Sequence, residues 1–278
     1  MQLGYNGHPR DDEDHVGRLP KRELEGLEQI SDDQWAFYKE VLQAVRDSGE
    51  PFALGGGFAW AAYAGMYRHG KDIDFFILPE SRDRLIEAIT KIGLTDYFKK
   101  EGYDRKWIYR GTRDGYIADL IWDMANYRAN FDPDWVTLGP EVSIRGELVR
   151  IIPIEELIWN KLYILQRPRC DWNDILNLMY INVETIDWAR MIKKLAPDIH
   201  LLGGALNVFL WMCPGRAKLI PRYVWRMVGM MQPEFNSEPS YIKHRVDLLD
   251  SRPWFIPALQ EGELPFTTVP PTPQVPDQ

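Results

Sequence analysis

The fold is decided by two neighbouring stretches of the sequence, FALGGG at residues 52–57 and DIDFFIL at residues 72–78. The first stretch predicts a short strand that ends in a tight glycine turn, and residues 58–67 predict the helix that follows. The second stretch predicts another strand. Because residues two apart in a strand point to the same face, Asp72 and Asp74 project together. The sequence therefore predicts a strand, a turn, a helix and a strand with two carboxylates on one face.

The carboxylates of Asp72 and Asp74 would repel each other unless a cation lay between them. Hard oxygen ligands suit Mg²⁺ or Mn²⁺, above all where phosphate supplies the remaining oxygens. Gly55, Gly56 and Gly57 stand at the start of a helix, where backbone N–H groups and the helix dipole favour a phosphate. Taken alone, the glycines could be an ordinary flexible turn, and the two aspartates could be the solvated start of a strand. Their order and spacing favour a metal site beside a phosphate cradle.

A third carboxylate, Asp119, lies in the middle of the apolar run YIADLIW at residues 116–122. An ionised aspartate is unfavourable among apolar neighbours unless it is paired or binds a metal. The alternative is a half-exposed strand whose Asp119 faces water, and the run alone does not separate the two. Together with Asp72 and Asp74, it favours one metal site built on neighbouring strands.

Patterning and composition divide the 278 residues into four segments: a polar leader at 1–30, an α/β core at 31–152, a helical lobe at 153–265 and a proline-rich disordered tail at 266–278. In the core, Ser31 predicts the cap of a helix, and a glycine-rich turn at 111–115 predicts a hairpin between 106–110 and 116–122. Helical periodicity in the lobe predicts helices at 154–166, 172–179, 186–195, 201–212 and 222–231. The predicted fold class is α/β (α+β), a small mixed sheet with a helical C-terminal lobe and the ligand between them.

The glycine run, the helix, Asp72 and Asp74, and the later Asp119 together resemble the signature of the DNA polymerase beta-like nucleotidyltransferase superfamily. Within that superfamily, the pattern resembles the small bacterial toxin-type, abortive-infection-like nucleotidyltransferases. The resemblance covers about residues 50–180 and departs at Gly57, where the family commonly has a serine. It implies that the three aspartates are catalytic and hold Mg²⁺ or Mn²⁺, and that the three glycines bind the nucleotide. Paired metal ions would neutralise the charge on the attacking and leaving oxygens.

Lys161 lies on the apolar face of the helix predicted at 154–166. A lysine is rarely buried without a partner, so it either snorkels at the edge of the face or reaches the phosphates of a nucleotide. The toxin-type relatives carry a lysine at the matching place, which favours the second role. After it, Arg169, Asp171 and Asp174 resemble a basic-Asp-x-x-Asp element of those relatives, which implies nucleotide binding. Helix capping would explain the same spacing.

The formal charge of −8 argues against a protein that grips nucleic acid with its whole surface. Residues 99–113 nevertheless carry six Lys or Arg among three aromatic residues. This segment is either a solvated hairpin or a docking surface for a triphosphate or an RNA. Cys170 and Cys213 form no disulfide or metal framework, no apolar run approaches the length of a membrane span, and the N-terminus has no signal-peptide core. We therefore expect a cytoplasmic protein.

The expected function is the metal-dependent transfer of a nucleoside monophosphate from an NTP to a hydroxyl acceptor, an RNA end or a protein. Such an enzyme would be of toxin type, with an antitoxin as partner. One alternative is an antibiotic-type nucleotidyltransferase with a small-molecule acceptor, which the acidic charge favours, whereas the basic segment favours RNA. Another alternative is a non-catalytic nucleotide-binding interaction module.

Overall fold

A computed structural model describes residues 24, 26–68, 70–128, 131–231, 233 and 242–249. The predicted tail and most of the predicted leader lie outside these residues. The strands are β1 (Phe52–Leu54), β2 (Asp72–Ile77), β3 (Thr95–Asp96), β4 (Ile108–Arg113), β5 (Tyr116–Ile121), β6 (Glu141–Ile144) and β7 (Glu147–Arg150). The helices are α1 (Asp32–Asp47), α2 (Gly56–Ala64), α3 (Arg82–Lys91), α4 (Asp134–Thr137), α5 (Ile154–Leu162), α6 (Trp172–Asn182), α7 (Trp188–Leu195), α8 (Ile199–Met212), α9 (Pro214–Ala217), α10 (Arg222–Met227) and α11 (Ile242–Leu249).

Five strands form one mixed sheet in the order β1-β2-β5-β4-β3, and β6 and β7 form a separate hairpin. In the large sheet, β2 and β5 are parallel and the other neighbours are antiparallel. The register places Asp74 opposite Asp119, and Asp119 opposite Arg110. Since opposed residues share a face, these three side chains lie in a row across the sheet. The predicted α/β class with a small mixed sheet is confirmed.

The other face of the sheet forms the core. Ile73, Phe75 and Leu120 alternate with the aspartates along β2 and β5 and are buried. Helices α1 and α3 pack against this face. Helix α1 begins as predicted, because the Ser31 hydroxyl accepts a hydrogen bond from the backbone N–H of Gln34 at 3.2 Å. The aspartates lie on the face opposite α1 and α3, where Phe76 of the same row is also buried.

The hairpin between β4 and β5 is tighter than predicted. Strand β4 continues through Gly111 to Arg113, and the turn is only Asp114 and Gly115, with φ angles of 54° and 88°. Two residues with positive φ match the twist of the flanking strands, as in type I′ turns. Gly111 serves packing instead, because a Cβ there would lie 3.0 Å from the Leu94 side chain. The prediction of a five-residue turn was wrong because it assigned this glycine to the turn.

Several predicted helix boundaries are also wrong. Helix α2 begins two residues earlier than predicted, at Gly56, and Gly65 with a φ of 81° caps it before residue 67. Helix α5 ends at Leu162 rather than at residue 166, and α10 ends at Met227 rather than at residue 231. Such errors are common at helix ends, where pattern and hydrogen bonding diverge.

The helical lobe is attached to the glycine-turn helix, because α5 and α6 both pack against α2. A buried ionic network joins α5 to α7 within the lobe. The Glu156 carboxylate, which is fully buried, binds Arg190 and Lys194. Burial raises the pKa of Glu156, and the two cations oppose this effect. The network therefore holds α5 against α7.

The stretch Trp188–Met212 is long and apolar enough to cross a membrane. Core helices of other proteins are often as long and as apolar. In the fold this stretch consists of α7 and α8 with a 3₁₀ turn between them. Leu202, Leu206 and Phe209 of α8 are fully buried against the rest of the lobe.

Candidate metal and nucleotide site

The three predicted carboxylates converge on one face of the sheet. Asp72, Asp74 and Asp119 each offer an oxygen, and these oxygens lie within 4.8 Å of one another. Asp119 is the deepest of them, with 1% of its surface exposed, and the other two are half-buried. Parallel pairing of β2 with β5 brings them together, since it sets Asp74 directly beside Asp119.

The electrostatics of this cluster favour a cation. Burial raises the pKa of Asp74 well above its usual value, and the charges of Asp72 and Asp119 add to this effect. Arg110 and Lys161 act in the opposite direction. Burial also raises the pKa of Asp119, although the hydrogen bonds from Arg110 oppose it. A divalent ion among these oxygens would relieve the repulsion, so the donor set fits a hard metal ion.

The glycine turn lies directly against the carboxylates. The backbone N–H of Gly55 donates to the carbonyl oxygen of Asp74 at 2.9 Å. Gly56 has a φ of 48°, and a Cβ on it would lie 1.7 Å from Asp74 Oδ2. A Cβ on Gly55 would lie 2.0 Å from the Phe76 ring, whereas Gly57 has open space around it. The first two glycines therefore allow the N-terminus of α2 to approach the aspartates.

Lys161, Asp171 and Asp174 form a second cluster. Lys161 is only 7% exposed, and its Nζ donates to Asp171 Oδ2 at 2.7 Å and to Asp174 Oδ2 at 2.8 Å. The lysine therefore does not snorkel. Arg169 donates to both oxygens of Asp171 at 2.9 Å, and Arg68 pairs with Asp174 at 2.8 Å. Asp171 precedes α6 without capping it through its side chain, so its carboxylate serves this cluster instead.

Charge links the second cluster to the first. Lys161 lowers the pKa of Asp74, and Asp74 in turn raises the pKa of Arg169, after the larger effect of Asp171. Burial alone would raise the pKa of Asp171, but hydrogen bonds from Arg169 and the charge of Lys161 hold it below its usual value. The structure thus places all nine predicted site residues in two groups, the three aspartates with the glycine turn and the lysine cluster, which interact through charge.

Sequence reasoning placed Arg110 in the basic segment at 99–113 but missed its pairing with Asp119. Its Nε donates to Asp119 Oδ1 at 2.8 Å and its Nη2 to Asp119 Oδ2 at 2.6 Å. The signal was available, because a two-residue turn at 114–115 sets residue 110 opposite residue 119. Placing the turn over five residues concealed that pairing.

We expect Lys161→Met to lower the free energy of unfolding by about 3 kcal/mol, because Asp171 and Asp174 then lose the cation they share in a buried site. Arg169 remains beside Asp171 and limits the loss. We also expect weaker NTP binding. Denaturant unfolding and nucleotide titration measure the two effects, and Lys193→Met, at an exposed lysine of α7, is the control. An unchanged unfolding free energy would contradict the structural part of this prediction.

Comparison with known proteins gives one family. The model of the nucleotidyl transferase AbiEii toxin family, of the type IV toxin–antitoxin system, matches residues 40–179, which is half of the chain. The match includes the glycine turn, the three aspartates and the lysine cluster. No curated protein matches the sequence.

Three solved structures are similar in part. The antibiotic-resistance factor ANT(2″)-Ia is 18% identical, with 63% of this chain and 95% of that chain covered and a TM-score of 0.43. The lincosamide antibiotic adenylyltransferase LnuA, in its lincomycin-bound form, is 19% identical, with 55% and 98% covered and a TM-score of 0.40. JHP933 from Helicobacter pylori is 15% identical, with 84% and 100% covered and a TM-score of 0.35. All three TM-scores lie below 0.5, so the similarity to these structures is partial.

Proposed function

We propose a reaction for this chain from the premise that it belongs to the AbiEii nucleotidyltransferase family, whose model matches half of its length. The protein is therefore a nucleotidyltransferase, of a family of type IV toxin–antitoxin systems. In our proposal it transfers a nucleoside monophosphate from an NTP to a hydroxyl acceptor and releases pyrophosphate. The observation that carries the proposal is the convergence of three carboxylates within 4.8 Å beside the glycine turn.

Asp72, Asp74 and Asp119 would hold Mg²⁺ or Mn²⁺, whose chemistry is to stabilise the developing charge on the attacking and leaving oxygens. The backbone N–H groups at the start of α2 would bind phosphate oxygens, and Gly56 allows that approach. Lys161, Arg169 and Arg68 together balance the charge of Asp171 and Asp174, so that these acids do not repel the nucleotide. Asp119, the deepest of the three carboxylates, is our candidate for the group that takes the proton of the acceptor hydroxyl.

For the acceptor, a basic and aromatic rim favours an RNA end. Phe98 is 44% exposed, and the Arg105 guanidinium lies 4.0 Å from the centre of its ring. Arg110 and Lys100 each lie 5.9 Å from the Tyr97 ring, and Arg110 also binds the metal-site carboxylate. Exposed rings beside cations suit unstacked bases and phosphates. The rim adjoins the carboxylates through Arg110, as an acceptor surface requires.

Part of the basic segment is a solvated hairpin, as the alternative interpretation held. Arg105 pairs with Asp96, and Arg113 pairs with Glu40 at 2.5 Å. These ion pairs neutralise two of the six positive charges of residues 99–113. A protein or small-molecule acceptor therefore stays an outcome of the test below. We also propose that the enzyme acts in the cytoplasm, where NTPs are plentiful, and that an antitoxin restrains it.

The test incubates the purified full-length protein with Mg²⁺, cell extract and each of the four α-labelled NTPs in turn. We expect label from at least one NTP to enter material that ribonuclease removes and protease does not. EDTA is expected to abolish transfer. Label in protein or in a small molecule would show that the acceptor is not RNA, while the proposed transfer reaction would stand. The absence of transfer from every NTP would favour a non-catalytic interaction module.

A matched pair of variants tests the rim in the same assay. Phe98→Ala is expected to reduce labelling of RNA several-fold, because stacking on an exposed ring contributes about 1–3 kcal/mol per base. Trp211→Ala is the control, since Trp211 is also 44% exposed but lies on α8 of the helical lobe. Equal losses in both variants would contradict the role of the rim.

A further inference from the structure

Arg110 binds Asp119, the most deeply buried carboxylate of the proposed metal site. Its guanidinium donates to both oxygens of Asp119, at 2.8 and 2.6 Å, and the Asp119 side chain is 1% exposed. An ion that used Asp119 would therefore have to share an oxygen with the guanidinium or displace it. Such a bidentate pair is a strong, charge-assisted contact.

Charge makes sharing unfavourable. The guanidinium is always positive, and a divalent ion beside it at the same carboxylate would repel it. A triphosphate changes this balance, because it brings several negative oxygens to the place where the ion binds. The planar fork that fits a carboxylate fits a phosphate equally well. The guanidinium would thus lose one anionic partner and gain another.

The surroundings of Arg110 allow this exchange. The side chain is 32% exposed, and its Cζ lies 5.9 Å from the centre of the Tyr97 ring, which is a second favourable contact for a cation. Asp119, by contrast, is fixed in β5 between β2 and β4. The long arginine stem is therefore the mobile partner of the pair.

We propose that Arg110 is a phosphate-binding residue that Asp119 masks in the free protein. When a divalent ion takes Asp119, the Arg110 fork transfers to the anionic oxygens of the triphosphate. The inference rests on the proposed function, since it uses the same three aspartates as metal ligands. It predicts opposite effects of one substitution: tighter metal binding without nucleotide, and weaker binding of triphosphate.

The first measurement is the affinity for Mn²⁺ without nucleotide. The electron paramagnetic resonance signal of free Mn²⁺ reports how much of the ion stays unbound. We expect Arg110→Gln to bind Mn²⁺ about tenfold more tightly than the unchanged protein, because both Asp119 oxygens become available. Arg113→Gln is the matched control: it removes the same charge from the same strand, but on the opposite face, where the arginine pairs with Glu40. Arg110→Lys, which keeps the charge and lacks the fork, provides a second variant if Arg110→Gln fails to fold.

The second measurement is the affinity for inorganic triphosphate with Mg²⁺, a probe that does not depend on the base. We expect about tenfold weaker binding to Arg110→Gln and a smaller loss with Arg110→Lys, since lysine meets phosphate as a point charge. Unchanged Mn²⁺ affinity in both Arg110 variants, or unchanged triphosphate affinity, overturns the proposal.

One more variant separates this proposal from the proposed function. Asp74→Asn should abolish Mn²⁺ binding. If it does and the Arg110 variants bind Mn²⁺ like the unchanged protein, only the role of Arg110 is overturned. If Mn²⁺ binding survives Asp74→Asn, the metal lies elsewhere, and the proposed function and the role of Arg110 are both overturned.

Discussion

Replacing Asp72 and Asp74 together by asparagine is expected to lower nucleotidyl transfer by about 10³-fold or more while the protein stays folded. Asparagine keeps the shape of the side chains but removes two of the three charges that would hold a divalent ion beside a triphosphate. The loss therefore falls on the stabilisation of transition-state charge. The measurement is transfer from labelled NTP with Mg²⁺, and Asp83→Asn, at an exposed aspartate of α3, is the control.

The same variant should unfold at the same temperature as the unchanged metal-free protein, or at a higher one. The folded pKa of Asp74 is raised by burial and by the neighbouring carboxylates, so the folded protein binds protons more tightly than the unfolded chain. Its stability accordingly falls as pH rises from about 4, the usual pKa of aspartate, towards the raised value. The asparagine variant cannot ionise at position 74, so its stability does not fall with pH for this reason. A double variant that melts normally and still transfers label would end the nucleotidyltransferase interpretation in favour of an interaction module.

The sequence predicted the part of the site that depends on local geometry. Alternation along β2 placed Asp72 and Asp74 on one face, and the glycines marked the close approach of α2. Asp119 required one more assumption, that its strand pairs with β2, and the aspartate in an apolar run supported it. The parallel direction of that pairing was not available from local pattern, because β3, β4 and α3 intervene in the chain.

Local rules failed where a side chain binds a distant partner. Asp171 has the residue type and position of a helix cap, yet its oxygens bind Lys161 and Arg169. Capping rules consider only the next few residues, whereas the buried ammonium of Lys161 arrives from the preceding helix. The pairing of Arg110 with Asp119 was missed for a different reason, since the register depended on a turn that was placed over too many residues. Long-range pairing and register, rather than residue type, set the limit of the prediction.

Gly56→Ala is expected to lower transfer about 10²- to 10³-fold, an effect comparable with the loss of a charge-stabilising contact. The methyl group would stand 1.7 Å from Asp74 Oδ2, so this oxygen must move away from Asp72 and Asp119. The positive φ of 48° adds a backbone strain of about 1–2 kcal/mol for any residue with a Cβ. Loss of Mn²⁺ binding and a lower unfolding free energy should accompany the loss of transfer.

The neighbouring glycine provides the control for this prediction. Gly57 lies in the same first turn of α2, its φ is outside the left-handed region, and no atom lies within 4 Å of an added Cβ. Gly57→Ala should therefore retain transfer and raise the unfolding free energy by about 0.5–1 kcal/mol, the usual advantage of alanine over glycine in a helix. Transfer and Mn²⁺ titration of the two variants side by side separate the position of Asp74 from a general effect on α2. If Gly56→Ala transfers label as well as Gly57→Ala does, the contact between Gly56 and Asp74 does not position a catalytic carboxylate.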